Sequence, residues 1–486
     1  MKTGKAAKIK QIYDKMSIQA KAAIWYTVCN VIQKGLIFLT TPVFSRLLTT
    51  EEYGIYSVFS TWQSVIIILV SLNLASGVYL RGLIKYEEDE EEFSASLHSL
   101  FAAVFFIGFL IYLVWHGFFS RLLEIPFNYM MCMFADMLMA VSFHFWSAKQ
   151  RVDYKYRSLI AVTIANSILK PAMEITAIAL FADNVTARIY ALTAADVVCF
   201  GALFAGMWTG KKKVSTKYWG YALRYNIPLV PHYLSQIVLN QSDRVMIKRL
   251  IGASKAGIYT LAYTLASIMV VLNQAILNSF NPWMYRQIKN RKFQDIGRYS
   301  MGLLLMLAGG NLCVIILAPE LIAVMAPGSY HEAIWLMPPV TMSIFFMFMY
   351  SLFANFEFYF EKTQFMMVAS VSGALLNIVL NYIFIQIFGY VAAGYTTLVC
   401  YLCYCIAHYL VMRRILKKEL PGEKIYDLRQ ILAISGAFMA SGFSIMLFYE
   451  RPIIRYMIFL VIVGIAFRNR KKILAFLNLV KAAKKS

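Results

Sequence analysis

The chain has 486 residues, 60% of them hydrophobic and only 15% charged, with a mean hydropathy of +0.61. A soluble domain is about one-quarter charged, so an ordinary water-soluble core is excluded and most of the apolar surface must face lipid or other membrane helices. The formal net charge of +22 would suggest nucleic acid in a soluble protein, but no nucleic-acid recognition fold is legible, and basic residues clustered between apolar runs follow the positive-inside rule instead.

Met1 to Lys21 is basic, yet the apolar stretch after it is too long for a signal-peptide core and lacks a small-residue cleavage site, so a retained first helix is expected. Apolar runs then recur at residues 22–44, 54–80, 96–119, 127–149, 156–180 and 186–208. The basic linker Lys211-Lys212-Lys213 follows, and after it come runs at 220–243, 254–281, 298–318, 332–356, 364–387, 389–412, 428–449 and 452–468. Runs of roughly 20 residues span about 30 Å of hydrocarbon, and in lipid each backbone group must bond within its own segment, so they read as helices. The expected class is an all-α integral membrane protein of about 14 transmembrane helices. Residues 1–210 would form one six-helix lobe, 211–412 a second, and 413–486 two extra helices with a basic tail.

A short pattern repeats across the halves. Arg46-Leu47-Leu48-Thr49-Thr50-Glu51-Glu52-Tyr53-Gly54-Ile55-Tyr56-Ser57 aligns without a gap on Arg249-Leu250-Ile251-Gly252-Ala253-Ser254-Lys255-Ala256-Gly257-Ile258-Tyr259-Thr260, a shift of 203 residues (249 − 46 = 257 − 54). Each copy joins two long apolar stretches. Membrane proteins built from two related halves usually carry substrate between them, so the repeat points to a transporter.

Placing both termini in the cytoplasm puts roughly 36 Lys/Arg inside and about 9 outside, and the reverse topology inverts that ratio. Arg244, Lys248, Arg249 and Lys255 are outliers on the external side, some of them expected to point into the protein. The acidic run Glu87-Glu88-Asp89-Glu90-Glu91-Glu92 reads as a solvated cytoplasmic loop, and the tail from Arg468 to Lys485 as a segment lying on anionic headgroups. The 7 Cys read as small apolar packing residues, including the cluster Cys400, Cys403 and Cys405, because no His or second Cys pair completes a metal site. Gly206-Met207-Trp208-Thr209-Gly210-Lys211-Lys212 fails the phosphate-loop spacing. Short external loops leave no room for a catalytic domain, and no cofactor is implied.

What remains is polarity inside helices, where ionisable groups are costly and each is a functional candidate. Asn30, Lys34 and Thr41 share one face of the first helix; Thr163, Ser167, Lys170 and Glu174 form a stripe on the fifth, beside Pro171. Lys170 and Glu174, four apart, can pair locally. His232, Gln236, Asn240 and Asp243 run down the seventh, below Pro228 and Pro231. Thr264, Ser267, Gln274, Asn278 and Asn281 line the eighth, and Asn377 and Asn381 the eleventh. Asp136 with His144, and Asp196, stand alone. Polar rows at corresponding places of two related halves are expected to line a water-filled cavity. Lys34, Arg81, Lys170 and Arg286 would hold an anionic group there, since a phosphate entering low dielectric needs charged donors.

These residues resemble the polysaccharide-unit flippases of the multidrug/oligosaccharidyl-lipid/polysaccharide exporter superfamily. The likeness lies in Ser45-Arg46-Leu47-Leu48-Thr49-Thr50-Glu51-Glu52-Tyr53-Gly54-Ile55-Tyr56, in Ile227-Pro228-Leu229-Val230-Pro231-His232-Tyr233-Leu234 with Gln241-Ser242-Asp243-Arg244, and in Ala256-Gly257-Ile258-Tyr259. It implies a V-shaped pair of six-helix bundles with two extra helices, moving undecaprenyl-diphosphate-linked oligosaccharides outward across the cytoplasmic membrane by alternating access. Coupling to H⁺ or Na⁺ would fall to Glu174, Asp196 or Asp243, and the Asp243-Arg244 pair matches the resemblance while also suiting a local ion bridge. Glycosyltransferases and a glycan polymerase are the partners such a role entails. The alternatives are a drug or cation antiporter of the same superfamily, a membrane glycan polymerase or ligase, and an assembly protein.

Overall fold

The computed structural model describes residue 13 and residues 16–209, 213–362 and 364–470. Lys211 and Lys212 of the linker, most of the Met1–Lys21 segment and the basic tail from residue 471 lie outside the described residues. Among the described residues the regular elements are all helical. They are α1 (Ile18–Leu47), α2 (Thr50–Ser71), α3 (Gly77–Lys85), α4 (Glu90–Val114), α5 (His116–Leu123), α6 (Phe127–Val152), α7 (Tyr156–Leu180), α8 (Asn184–Trp208), α9 (Thr216–Asn226) and α10 (Val230–Leu250). There follow α11 (Ala253–Ala266), α12 (Ile268–Lys289), α13 (Phe293–Ile316), α14 (Ala318–Met325), α15 (Met337–Tyr359), α16 (Gln364–Phe388), α17 (Ala392–Glu419), α18 (Leu428–Met446) and α19 (Pro452–Arg468).

The all-helical membrane class is as expected, with 12 runs among the described residues long and apolar enough to span, α11 and α12 counting as one. The expected count of about fourteen is not confirmed. The run at 220–243 is split by a 3-10 turn at Ile227–Leu229 containing Pro228, and α10 after it carries too many polar side chains. Pro452–Ile465 is apolar but shorter than a full span. The run expected at 54–80 is also two helices: Leu72 and Asn73 adopt positive φ (48° and 51°), a left-handed turn that ends α2. The Asn226 side chain holds that turn by donating to the Leu72 carbonyl at 2.8 Å.

The chain divides into two compact units. One comprises residues 1–47 and 58–234; the other comprises 48–57 and 235–486. In the first, α7 and α8 pack along each other, α6 lies on α8 and α1 on α7. Tyr79 sits at the centre of an aromatic cluster, edge-on to Phe145 with centroids 4.8 Å apart and stacked on Phe93 at 6.0 Å. Gly82 makes room for this packing, because a Cβ there would fall 2.0 Å from the Phe93 ring. The acidic run is not simply solvated: Glu90 pairs with Lys149 at 2.8 Å, and Tyr218 donates to Asp89 at 3.2 Å.

In the second unit α15 is the central helix, packed against α17, α13 and α18. Phe345 meets Phe438 at 4.4 Å. Arg455 of α19 forks onto both carboxylate oxygens of Glu320 at 2.8 Å each, a bidentate tie that fixes α19. Lys255 pairs with Glu332 at 2.5 Å.

This unit also contains residues 48–57 of the first copy of the repeated block and the whole of the second, and the two touch reciprocally. A Cβ on Gly54 would lie 1.9 Å from the carbonyl oxygen of Ala253, and one on Gly257 would lie 2.0 Å from that of Thr50. These are equivalent pairs under the same shift of 203 (253 − 50 = 257 − 54). Glycine at both positions lets the first turns of α2 and α11 approach backbone to backbone, the small-residue contact membrane helices use. The Thr50 and Ser254 hydroxyls bond across the contact at 2.7 Å, and Tyr53 packs edge-on against Tyr330.

Candidate functional site

Two clusters of polar side chains stand out, one inside each unit. In the first unit Lys170 of α7 reaches across to α8 and donates to Asp196 Oδ2 at 2.8 Å, with Asp136 Oδ1 of α6 at 3.7 Å. Gln63 of α2 donates to Asp136 Oδ2. Asp136 and Asp196 are buried and Lys170 half-buried. Asp136 and Asp196 therefore do not stand alone. Lys170 is held by these two acids and, among the described ion pairs, not by Glu174. One turn further along α7, Glu174 is buried and accepts from Arg188 Nε of α8 at 2.8 Å, and that guanidinium lies over the Phe44 ring at 3.9 Å. The i,i+4 expectation fails because α8 offers each side chain a better-placed opposite charge.

In the second unit Asp243 is fully buried. Its carboxylate accepts from Tyr259, from Asn381 Nδ2 at 2.5 Å and from Thr397 Oγ1 at 3.0 Å. Thr396 donates to Asn381 Oδ1, and Asn377 Oδ1 accepts from Ser242 at 3.0 Å and from Asn381 at 3.2 Å. Arg244 forms no bridge to Asp243 among the described residues: its guanidinium covers the Tyr263 ring at 4.8 Å and donates to the Asn240 carbonyl. Asn240 in turn accepts from Tyr401 at 2.7 Å and Tyr263 at 3.3 Å, and Gln236 donates to Ser370 and Tyr404 at 3.3 and 3.4 Å. From Gln236 to Asp243 the polar side chains of α10 bond to partners on α11, α16 and α17. His232 precedes them within the first unit, half-buried with its ring against Tyr233.

The remaining candidates are more open. Lys34 is exposed on α1; the side chain of Asn30 lies outside the described residues, and Thr41 is buried and bonded to its own helix. Arg81 is exposed, with its guanidinium 5.7 Å from the Tyr225 ring. Gln274 and Asn278 are exposed and bonded to one another at 2.8 Å, while Arg286 is half-buried. Sequence reasoning passed over one pair entirely: His408 of α17 and Glu357 of α15, buried and 2.6 Å apart, with Tyr350 and Tyr404 rings against the imidazole. All seven cysteines are free, and among the described residues no three His, Cys, Asp or Glu side chains gather as for a metal.

Residues 20–287 match the family model described as polysaccharide biosynthesis protein, and residues 228–383 match that described as MatE. The chain is similar to the Lsg locus putative protein 1 of Haemophilus influenzae, 24% identical over 376 residues that cover 74% of this chain and 89% of that protein. Among solved structures it is similar to the lipid II flippase MurJ in an inward closed conformation, with a TM-score of 0.69 and 12% identity, covering 93% of this chain and 100% of that one. An inward-facing multidrug resistance MATE family transporter of the MOP superfamily gives a TM-score of 0.65 at 12% identity, covering 83% and 100%. At such identities the structural likeness is one of fold.

Proposed function

The chain belongs to the polysaccharide biosynthesis protein family; on that premise we propose that it is a membrane transporter of the multidrug/oligosaccharidyl-lipid/polysaccharide exporter superfamily rather than an enzyme, and that it flips undecaprenyl-diphosphate-linked oligosaccharide units across the cytoplasmic membrane. The observation that carries this reading is the polysaccharide-biosynthesis match over residues 20–287 on a chain with a transporter's fold. The polar groups inside its helices suit the cargo. Lys34, Arg81, Lys170 and Arg286 supply cations for a diphosphate, whose burial without charged donors is prohibitive. His232, Gln236, Asn240, Gln274 and Asn278 supply donors and acceptors for sugar hydroxyls. The cargo would change sides by alternating access, with both termini cytoplasmic as the basic loops favour.

Ion coupling would rest on Asp243. It is a single buried carboxylate met by three donors, the Tyr259 and Thr397 hydroxyls and Asn381 Nδ2, and its lone charge suits a monovalent ion, H⁺ or Na⁺, rather than a divalent one. Asp196 joins Lys170 in the first unit, and Glu174, tied up by Arg188, is the weakest of the three coupling candidates.

The test is a deletion strain followed for export of its surface glycan. Loss of the chain should leave lipid-linked oligosaccharide accumulating on the cytoplasmic leaflet, restored by the wild-type gene but not by Lys34→Ala or Arg286→Ala at normal expression. Normal glycan export in the deletion strain would sink the reading. The MatE match over residues 228–383, which include Asp243, favours one second reading, a multidrug or cation antiporter; increased drug susceptibility with normal glycan would select it.

A further inference from the structure

The Asp136–Lys170–Asp196 cluster sets two buried carboxylates against one half-buried ammonium. Among the described residues no other cation lies within ion-pair distance of either acid. With both acids ionised the cluster carries one excess negative charge inside membrane-spanning helices, a costly state. Its hydrogen bonds are one donor short as well. Gln63 serves Asp136 Oδ2 and Lys170 serves Asp196 Oδ2, but among the described residues Asp136 Oδ1 and Asp196 Oδ1 are buried without a hydrogen-bond donor. The two carboxyls converge on the same ammonium, Asp196 Oδ2 at 2.8 Å and Asp136 Oδ1 at 3.7 Å from Lys170 Nζ. A single proton shared between them removes the excess charge and supplies the missing donor.

Lys170 is the accessible member: a quarter of its side chain is exposed, against 5% or less for either acid. Pro171 follows it and removes one backbone hydrogen bond from that turn of α7. The other ionisable groups near the cluster are few. Cys132 lies beside Asp136 on α6, and Cys199 beside Asp196 on α8. Glu174 on α7 is neutralised by Arg188. On α1, which packs against α7, the titratable groups of the membrane span are Tyr26, Cys29 and an exposed Lys34.

We propose that Asp136, Lys170 and Asp196 form a proton-operated exchange site, in which the Lys170 ammonium is held either by the carboxyl pair or by a phosphate of the cargo. At rest the pair shares one proton and retains the ammonium. When a phosphate draws Lys170 away, the pair loses its counter-charge and takes up one further proton from water onto a carboxylate oxygen. Lys170 stays protonated throughout. Binding of the anion and uptake of the proton are thus linked, each raising the affinity for the other. The inference rests on the anionic cargo proposed above.

The test uses the full-length protein in detergent with farnesyl diphosphate as probe, titrated calorimetrically between pH 5.5 and 8.5 in two buffers of different ionisation heat. Wild type is expected to take up about one proton per probe bound, with affinity rising by up to about tenfold per pH unit of acidification. The near-isosteric D136N/D196N variant should bind with no proton uptake and a flat pH profile, and D196N alone should show a reduced uptake. K170Q should bind at least about tenfold more weakly, also without pH dependence. Melting curves of each variant establish that it is folded. Binding that is flat with pH in wild type, uptake preserved in D136N/D196N, or affinity that follows Na⁺ rather than H⁺ would overturn the exchange while leaving the cargo intact. Absence of farnesyl diphosphate binding at every pH would remove the anionic cargo and the exchange together.

Discussion

Gly54→Ala is the sharpest test of how the second unit is held together. The added methyl would sit 1.9 Å from the Ala253 carbonyl oxygen and 2.9 Å from the Gly257 nitrogen, all of them backbone atoms that no rotamer change can move aside. Ordinary contact begins at 3.4 Å, so the first turns of α2 and α11 must part by about 1.5 Å (3.4 − 1.9). That shift stretches the 2.7 Å bond between Thr50 and Ser254 beyond hydrogen-bond range. Overpacking of this kind costs roughly 1–3 kcal/mol, and the lost hydrogen bond about 1 more. The expected loss is about 2–4 kcal/mol, on the order of 5 °C in the midpoint of detergent-solubilised protein followed by intrinsic fluorescence. Gly257→Ala demands the same separation, since its methyl meets the Thr50 carbonyl at 2.0 Å. Once one methyl has parted the helices, the second finds room, so the double variant should cost at least about 1 kcal/mol less than the sum of the singles. A Gly54→Ala protein that melts within about 1 °C of wild type, or two effects that simply add, would refute the close reciprocal packing.

Three other outcomes are expected. Glu174→Gln leaves the buried Arg188 guanidinium without its carboxylate and should cost about 3–5 kcal/mol, whereas E174M/R188M should recover most of that loss in the same melting assay. Asp183 caps α8 by accepting from the Thr186 amide at 3.0 Å and from its hydroxyl, so Asp183→Ala should destabilise by about 1 kcal/mol and Asp183→Ser by much less. The hydrogen bond from Lys255, and then that from Tyr390, hold the Glu332 carboxyl below its ordinary value of 4.5. A depressed value in the folded state means stability that is present above pH 4.5 and lost as pH falls through the folded value. Wild type should therefore outlast Glu332→Gln slightly at pH 7, by under about 1 kcal/mol for so exposed a pair, and the gap should close on acidification below about pH 4.5.

The membrane class was legible because it depends only on run length and apolarity, which each segment carries by itself. Breaks within runs were not. Leu72 and Asn73 have side chains that fit a helix, and the turn there is held by Asn226, more than 150 residues away in sequence. The polar residues of α10 could be singled out by their cost in lipid, but which of them would meet was set by tertiary packing: Asp243 and Asn381 are 138 positions apart. Lys170 and Glu174 show the limit of a local rule, since spacing on one helix says nothing of charges on the next. Glu357 escaped notice for a simpler reason. Glu357 lies one residue beyond the apolar run at 332–356, where a loop is expected, yet it is fully buried, and nothing local to His408 marks it as that acid's partner.

The reciprocal contact between the repeated blocks bears on the chain's ancestry. Where segment A touches segment B and the equivalent of B touches the equivalent of A, the geometry is that of an isologous interface, the kind a two-fold homodimer makes with itself. A half-length precursor carrying one copy of the Gly-Ile-Tyr block would present the same self-complementary surface, and fusing two such genes would lock that pairing into a single polypeptide. Neither glycine can then drift alone, because each is the other's neighbour.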